Sequence, residues 1–324
     1  KFFNSTYRSC KFIINKTLEI NDKKKYFLAL MKEYLIFRTD RVGDFLLTLS
    51  LIKIIKINHP ESKITIIASE KNFDYIKTFK VVNNVIKLKN NFFSKISLIL
   101  NLRKKKFDSI VVHDGKKRSK FVSFFLNYNN RAICITNLID TQLDIIKKTC
   151  KDINLNFTSE CLNFMDERKY NSSNIPFKNY IHLHFDEKWC HDMYIKNYTN
   201  IEPNKDELLK FIENIVSKNK YLIITTGKKI PEKLIEIQDK LNTKKVKVFY
   251  NQELYEIENI VFNSDLLITC HGWISHIASS KSIKQIDIID DQYPYNKWTS
   301  HFRNYNYINR KSFNILSNEI IKFI

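Results

Sequence analysis

The strongest constraint on this chain is a rhythm that runs through most of it. Short apolar runs alternate with longer segments of helical spacing. Residues 34–37, 64–68, 85–88, 109–113 and 131–136 read as strands, and 45–58, 72–79, 92–102 and 119–127 read as the helices between them. A polar stretch at 171–176 interrupts the pattern, which then restarts. Strands follow at 180–184, 221–225, 246–249, 266–269 and 285–289. Helices follow at 205–218, 231–241, 254–262 and 275–280, with a last one over 312–324. Parallel strands need a long crossover, usually a helix, so this alternation predicts doubly wound parallel sheets. With 324 residues the chain has length for two domains, each burying its own core. The expected fold is α/β, with two Rossmann-like doubly wound domains, 31–172 and 173–324, facing across a cleft. Residues 1–30 read as a basic helical extension, either packed on the first domain or lying on a membrane surface.

The first strand leads into the most informative turn. After the apolar run Tyr34-Leu35-Ile36-Phe37 come Arg38, Thr39, Asp40, Arg41, Gly43 and Asp44, then an apolar helix that Pro60 stops. Ligands of open α/β sheets bind at the carboxyl ends of strands, which makes this charged turn a candidate site. Glycine usage points the same way. The chain has only four glycines, and Gly43, Gly115, Gly227 and Gly272 each follow a predicted strand. Glycine is kept where the backbone needs positive φ or a ligand needs close approach, although a strand-to-helix turn alone also favours it.

Composition excludes several classes. The net charge is +20, but lysines are spread along the whole chain and no helix-turn-helix, RNP or zinc signature appears. Nucleic acid is therefore not the expected partner. Phosphate-bearing substrates or an anionic membrane face suit the charge better. Cys10, Cys134, Cys150, Cys161, Cys190 and Cys270 are scattered without a C-x-x-C pair, which predicts reduced thiols in a cytoplasmic protein. No apolar run reaches transmembrane length. The dinucleotide fingerprint G-x-G-x-x-G, the P-loop and the G-x-S-x-G elbow are all missing. His182 and His184 share one strand face without an evident third ligand, and no metal is expected.

Several segments, in order, resemble glycosyltransferase family nine, the lipopolysaccharide heptosyltransferases and their relatives. Residues 38–49 and 59–66 resemble the family's opening strand, R-x-x-x-x-G-D turn, helix and second strand. Residues 106–115 look like its F-D-x-x-I-D-x-x-G strand, and Lys188-Trp189 like its K-W site after the first strand of the second domain. Residues 221–227 resemble the next strand and glycine turn, and 264–278 its D-x-x-I-x-x-D-[ST]-G-x-x-H-x-A segment. The resemblance covers roughly residues 34–289. Three departures stand out. Cys270 and His271 occupy the place of the acid before the last glycine. The spacing from Gly272 to His276 is one residue longer. Lys228 and Lys229 follow Gly227 where the heptosyltransferases often carry an acid.

The resemblance implies a GT-B fold, an acceptor on the first domain, a nucleotide-diphosphate sugar (an ADP-heptose among the candidates) on the second, and inverting transfer without metal or further cofactor. Asp44, beside a turn glycine at a helix start, is placed to take a proton from an acceptor hydroxyl, and equally to cap the helix. Asp40 is the competing carboxylate. Lys188 and the helix start at Gly272 and Ser275 suit a departing diphosphate, and Gly227, His271 and His276 complete the expected donor site. Arg38, Thr39, Asp40, Arg41, Gly43, His113, Lys116, Lys117 and Arg118 form the expected acceptor site, which suits an anionic glycolipid or glycan. Such an enzyme would work in the cytoplasm or peripherally on the inner face of the membrane. Two alternatives stand beside it: a sugar epimerase of the same architecture, and a degenerate member that binds sugar or acts as a scaffold.

Overall fold

A computed structural model describes residues 31–135, 140–165, 175–191, 198–218 and 220–324. The basic extension 1–30, the domain boundary at 172/173 and most of the polar stretch 171–176 lie outside the described residues. Strands β1 (Glu33–Arg38), β2 (Lys63–Ala68), β3 (Asn84–Lys87), β4 (Lys106–Val112) and β5 (Asn127–Ile133) form one sheet in the order β3-β2-β1-β4-β5. Strands β6 (Tyr180–His184), β7 (Tyr221–Thr225), β8 (Val246–Phe249), β9 (Leu266–Cys270), β10 (Lys284–Ile289) and β11 (Tyr305–Asn309) form a second in the order β11-β10-β9-β6-β7-β8. Every pairing is parallel. Both sheets start at the centre and wind outward in both directions. Each therefore has a switch point, beside β1 and beside β6, where neighbouring turns part and leave a crevice.

Eleven α-helices of the described residues accompany the strands, the last of them following β11. They are α1 (Val42–Asn58), α2 (Phe73–Ile76), α3 (Phe92–Leu102), α4 (Lys117–Phe124), α5 (Gln142–Asp152), α6 (Lys205–Ser217), α7 (Glu232–Glu236), α8 (Leu254–Phe262), α9 (Trp273–Ser280), α10 (Asn296–Thr299) and α11 (Phe313–Phe323). Helix α6 shows how the pattern works. Leu208, Phe211, Ile212 and Ile215 are buried on one stripe, and Asn204 caps its start in a box with Glu207. Helix α1 differs, because its apolar residues go all round and nearly all are buried. A helix that is apolar on every side must be covered on every side. One face of α1 lies on the first sheet, and the remainder packs with α5, α8 and α9 in a single core. Since α8 and α9 belong to the second sheet, this core joins the two halves. Polar contacts add to the joint: the Tyr75 hydroxyl donates to Glu258, and Asn163 links Ser279 to the His301 carbonyl.

The structure departs from the sequence reading in three places. Strand β5 begins at Asn127, inside the expected helix 119–127; it is an edge strand whose polar start pairs with Lys106 and Phe107. The expected helix 231–241 is α7 followed by a 3-10 turn at Gln238–Lys240. Strand β11 and helices α5 and α10 were not anticipated. Strand β11 is also an edge, with only Ile308 buried, so it carries almost no apolar signal.

Candidate active site

The turn after β1 is built around Arg38. Its side chain is buried, and its Nε donates to Thr48 Oγ1 at 2.7 Å while Nη1 pairs with Asp40 Oδ2 at 3.2 Å. Thr48 Oγ1 also lies 3.0 Å from His113 Nδ1. Burial, and then the Arg38 charge, hold His113 well below the usual histidine range, so it is neutral beneath the turn. The turn after β4 is organised by Asp114, which accepts from Thr39 N, Thr39 Oγ1, Lys116 N and Ser119 Oγ. Gly115 allows that turn: its φ is +59°, and a Cβ there would meet the Cys134 carbonyl oxygen at 2.5 Å. Lys116 Nζ and Arg118 Nη2 then reach back to the Thr39 carbonyl at 3.2 and 2.8 Å. The sequence reading included residue 114 in a motif but gave it no role.

These turns enclose a cavity of about 780 Å³. Thr39, Asp40, Arg41 and Asp44 line one wall, the turns after β2 and β3 supply Lys71 and Lys89, and Lys116 and Arg118 close it. The N-cap of α1 is Arg41, not Asp44; Asp44 stands at the third helical position, and its Oδ2 accepts from Arg41 N at 3.1 Å, which still satisfies the helix start. Burial and the neighbouring Asp40 charge push its pKa up, only partly opposed by Arg38, the Arg41 N–H and Lys116. Asp40 is held by the Arg38 guanidinium. Lys117 is exposed and His113 buried, and neither lines the cavity.

The second sheet presents a matching turn after β6. Trp189 is fully buried, and its indole N–H donates to the His184 carbonyl at 2.9 Å, which pins the turn. Lys188 Nζ stands 3.5 Å from Asp186 Oδ2. Burial opposes the Asp186 charge, but Lys188 and His184 outweigh it and hold the carboxyl at about 2. The Lys188 ammonium lies over Gly272, where a Cβ would displace it. Gly227 faces Asp186 and Glu187 at the same end. Arg310, after β11, donates to the Lys188 carbonyl at 2.6 Å. Gly272 N donates to Ser275 Oγ, which donates to Asp287 Oδ1 at 2.9 Å, and His271 Nδ1 lies 2.6 Å from Asp287 Oδ2. Asp287 is fully buried on β10. A carboxylate missing from the sequence before Gly272 is thus present beneath that turn, brought by the neighbouring strand. Reasoning along the chain missed Asp186, Asp287 and Arg310; an acid at a strand end and one inside β10 were the available signals. His276 has its ring 5.9 Å from that of His271 and also lines the joint beside Leu46, Leu47 and His301.

The two halves of the site meet at α1 and α9. A Cβ on Gly43 would sit 3.3 Å from Trp273 Cα, so the first turn of α1, which bears Asp44, touches the first turn of α9 beside Gly272. The structure therefore brings Arg38, Thr39, Asp40, Arg41, Gly43, Asp44, Lys116 and Arg118 to one side of a junction. Lys188, Gly227, His271, Gly272 and Ser275 gather on the other. His182 Nε2 and His184 Nδ1 share the Thr225 hydroxyl at 2.7 and 2.8 Å. Among the described residues no cluster of His, Cys, Asp and Glu is arranged to hold a metal ion.

No family model matches the chain, and no curated protein matches it. Solved structures do. The E. coli heptosyltransferase WaaC with ADP aligns with a TM-score of 0.63 at 13% identity, over 90% of this chain and 98% of that one. A glycosyl transferase family 9 protein from Veillonella parvula aligns with a TM-score of 0.67 at 13% identity, over 90% and 88%. The UDP-GlcNAc 2-epimerase of Methanocaldococcus jannaschii aligns with 0.53 at 13%, over 91% and 92%. The fold is GT-B, as the sequence resemblance implies.

Proposed function

We propose that the protein is an inverting, metal-independent glycosyltransferase that moves a sugar from a nucleotide-diphosphate donor to an anionic surface-glycan or glycolipid acceptor, in the manner of a heptosyltransferase. One observation carries this reading: the Gly43–Trp273 contact sets the helix start that bears Asp44 against the helix start at Gly272, over which the Lys188 ammonium lies. The cationic cavity on the first sheet suits a phosphorylated acceptor. Asp44 takes the proton of the acceptor hydroxyl as its oxygen bonds to the anomeric carbon. The bond from that carbon to the diphosphate breaks, and its electrons leave with the diphosphate. Lys188 and the N–H groups at the start of α9 stabilise the charge that develops there. A nucleotide-bearing donor is supported by the likeness to WaaC, whose structure holds ADP. Work at the inner membrane face follows from a glycolipid acceptor.

The epimerase likeness supports a second reading, in which the same cleft acids would act on a sugar carbon without any acceptor. Incubation with a panel of nucleotide-diphosphate sugars separates the two. Transfer predicts nucleoside diphosphate release that depends on added glycolipid. Epimerisation predicts an isomerised nucleotide sugar without acceptor, and a scaffold predicts binding with neither product.

A further inference from the structure

Helices α3 and α4 lie side by side over one face of the first sheet. Leu35 and Phe37 of β1 pack with them, whereas Tyr34 and Ile36 point to the opposite face, where α1 joins the second half. The outer surface of the α3–α4 layer is thus turned away from the joint. It is also unusually apolar. Phe93 is 83% exposed, Phe124 68% and Phe92 62%, with Phe121, Phe125 and Leu100 also exposed. The rings form two clusters, Phe92 with Phe93 at the start of α3 and Phe121 and Phe124 with Phe125 at the end of α4. Single exposed apolar residues are ordinary on a soluble protein, but two clusters of exposed rings on one helix layer are not. The surrounding charge has one sign. Every charged residue in 89–107 and 115–126 is Lys or Arg, including the run Arg103-Lys104-Lys105-Lys106.

We propose that this face docks on an anionic lipid bilayer, with the phenylalanines entering the headgroup boundary and the lysines and arginines around them binding lipid phosphates. Protruding rings among long cationic side chains are what a headgroup region accommodates, since the stems lie along the apolar boundary while the charges stay in the wet layer. A second copy of the chain would bring two faces of like charge together, which opposes self-association. The placement has a consequence for the cavity. Lys89, Asn90, Lys116 and Arg118 lie at the amino ends of the same two helices, and Arg118 Nη1 donates to Asn90 Oδ1 at 3.3 Å. Docking would hold the cavity mouth next to the lipid headgroups. That the bilayer presents the acceptor there rests on the glycosyl-transfer reading; the docking itself does not.

The test is co-sedimentation of the full chain with vesicles, with no donor or acceptor present. The parent protein should bind phosphatidylglycerol-containing vesicles, release in high salt and ignore pure phosphatidylcholine. The double variant Phe93→Ser/Phe124→Ser should lose binding by about tenfold or more at unchanged melting temperature, because both rings are exposed. Phe93→Trp keeps an aromatic ring and reports directly: its added fluorescence should shift to the blue with anionic vesicles. Three results would overturn the proposal. The parent fails to bind or binds neutral vesicles equally; the double variant binds as the parent does, which would assign binding to another surface such as residues 1–30; or the serine changes alter sedimentation state and leave vesicle binding untouched.

Discussion

Asp44 holds a helix start and faces a cavity, and its electrostatics separate the two roles. A cap is served by any short polar acceptor, but a base must be ionised and able to take a proton. Burial and the Asp40 charge raise the Asp44 pKa, so its ionised form is disfavoured in the folded protein. At neutral pH that is a cost to stability, relieved when the group is protonated. Asp44→Asn keeps the cap and removes the cost. It should leave the melting temperature unchanged or higher while lowering turnover by about 10² to 10⁴. The acid limb of the activity profile should lie above the ordinary carboxylate value of about 4. Asp40→Asn removes the second cause of the shift, so its acid limb should move to lower pH, with weaker acceptor binding. An unmoved limb would mean that Asp44 is not the titrating base. Asp186 has the opposite sign. Its folded pKa of about 2 lies below the unfolded value, so its stabilisation is present above about 4 and is lost as pH falls through 2. Lys188→Met removes the ammonium that opposes the burial penalty, so acid destabilisation should begin at higher pH, as urea midpoints at pH 5 and pH 3 would show.

At the scale of elements, α1 is the piece on which the architecture turns. Its apolar sequence was legible as a helix, and the turn before it as a site. That the helix is covered by the second half was not legible, because apolar periodicity reports burial and not the identity of the covering partner. The same limit hid Asp287, whose partners His271 and Ser275 are near it only because β9 and β10 pair. Central strands were read within a residue or two because they are continuous apolar runs, except that β4 starts three residues early at Lys106, where its sequence is polar. Edge strands β5 and β11 were misplaced or missed because polar residues suffice there. Gly43 tests the α1–α9 contact. Its Cβ would find Trp273 backbone at 3.3 Å, so Gly43→Ala trades a helix-propensity gain of up to about 1 kcal/mol against slight crowding and should be near neutral. Gly43→Leu cannot be accommodated without moving α9. It should destabilise by about 1–3 kcal/mol and reduce turnover beyond that loss of folded protein. Full activity in Gly43→Leu would show that the contact does not align the two halves.

Across the whole molecule, two sheets of the same winding meet with their strand-end turns at one junction, and the chemistry divides between them. Asp40, Asp44 and a cationic cavity lie on the first; Lys188, Arg310 and a helix start lie on the second. Among the described residues no helix is long and apolar enough to cross a membrane. The division makes the two binding events separable, since donor affinity should depend on the second sheet and proton removal on the first. The most direct measurement is therefore a paired one on the parent and Asp44→Asn: the melting shift on adding each nucleotide-diphosphate sugar, and the release of nucleoside diphosphate once glycolipid is supplied. The account predicts at least one donor that raises the melting temperature of both proteins equally, with acceptor-dependent release in the parent and a loss of about 10² to 10⁴ in the variant. Equal turnover in the two proteins, or release that does not depend on acceptor, would contradict it.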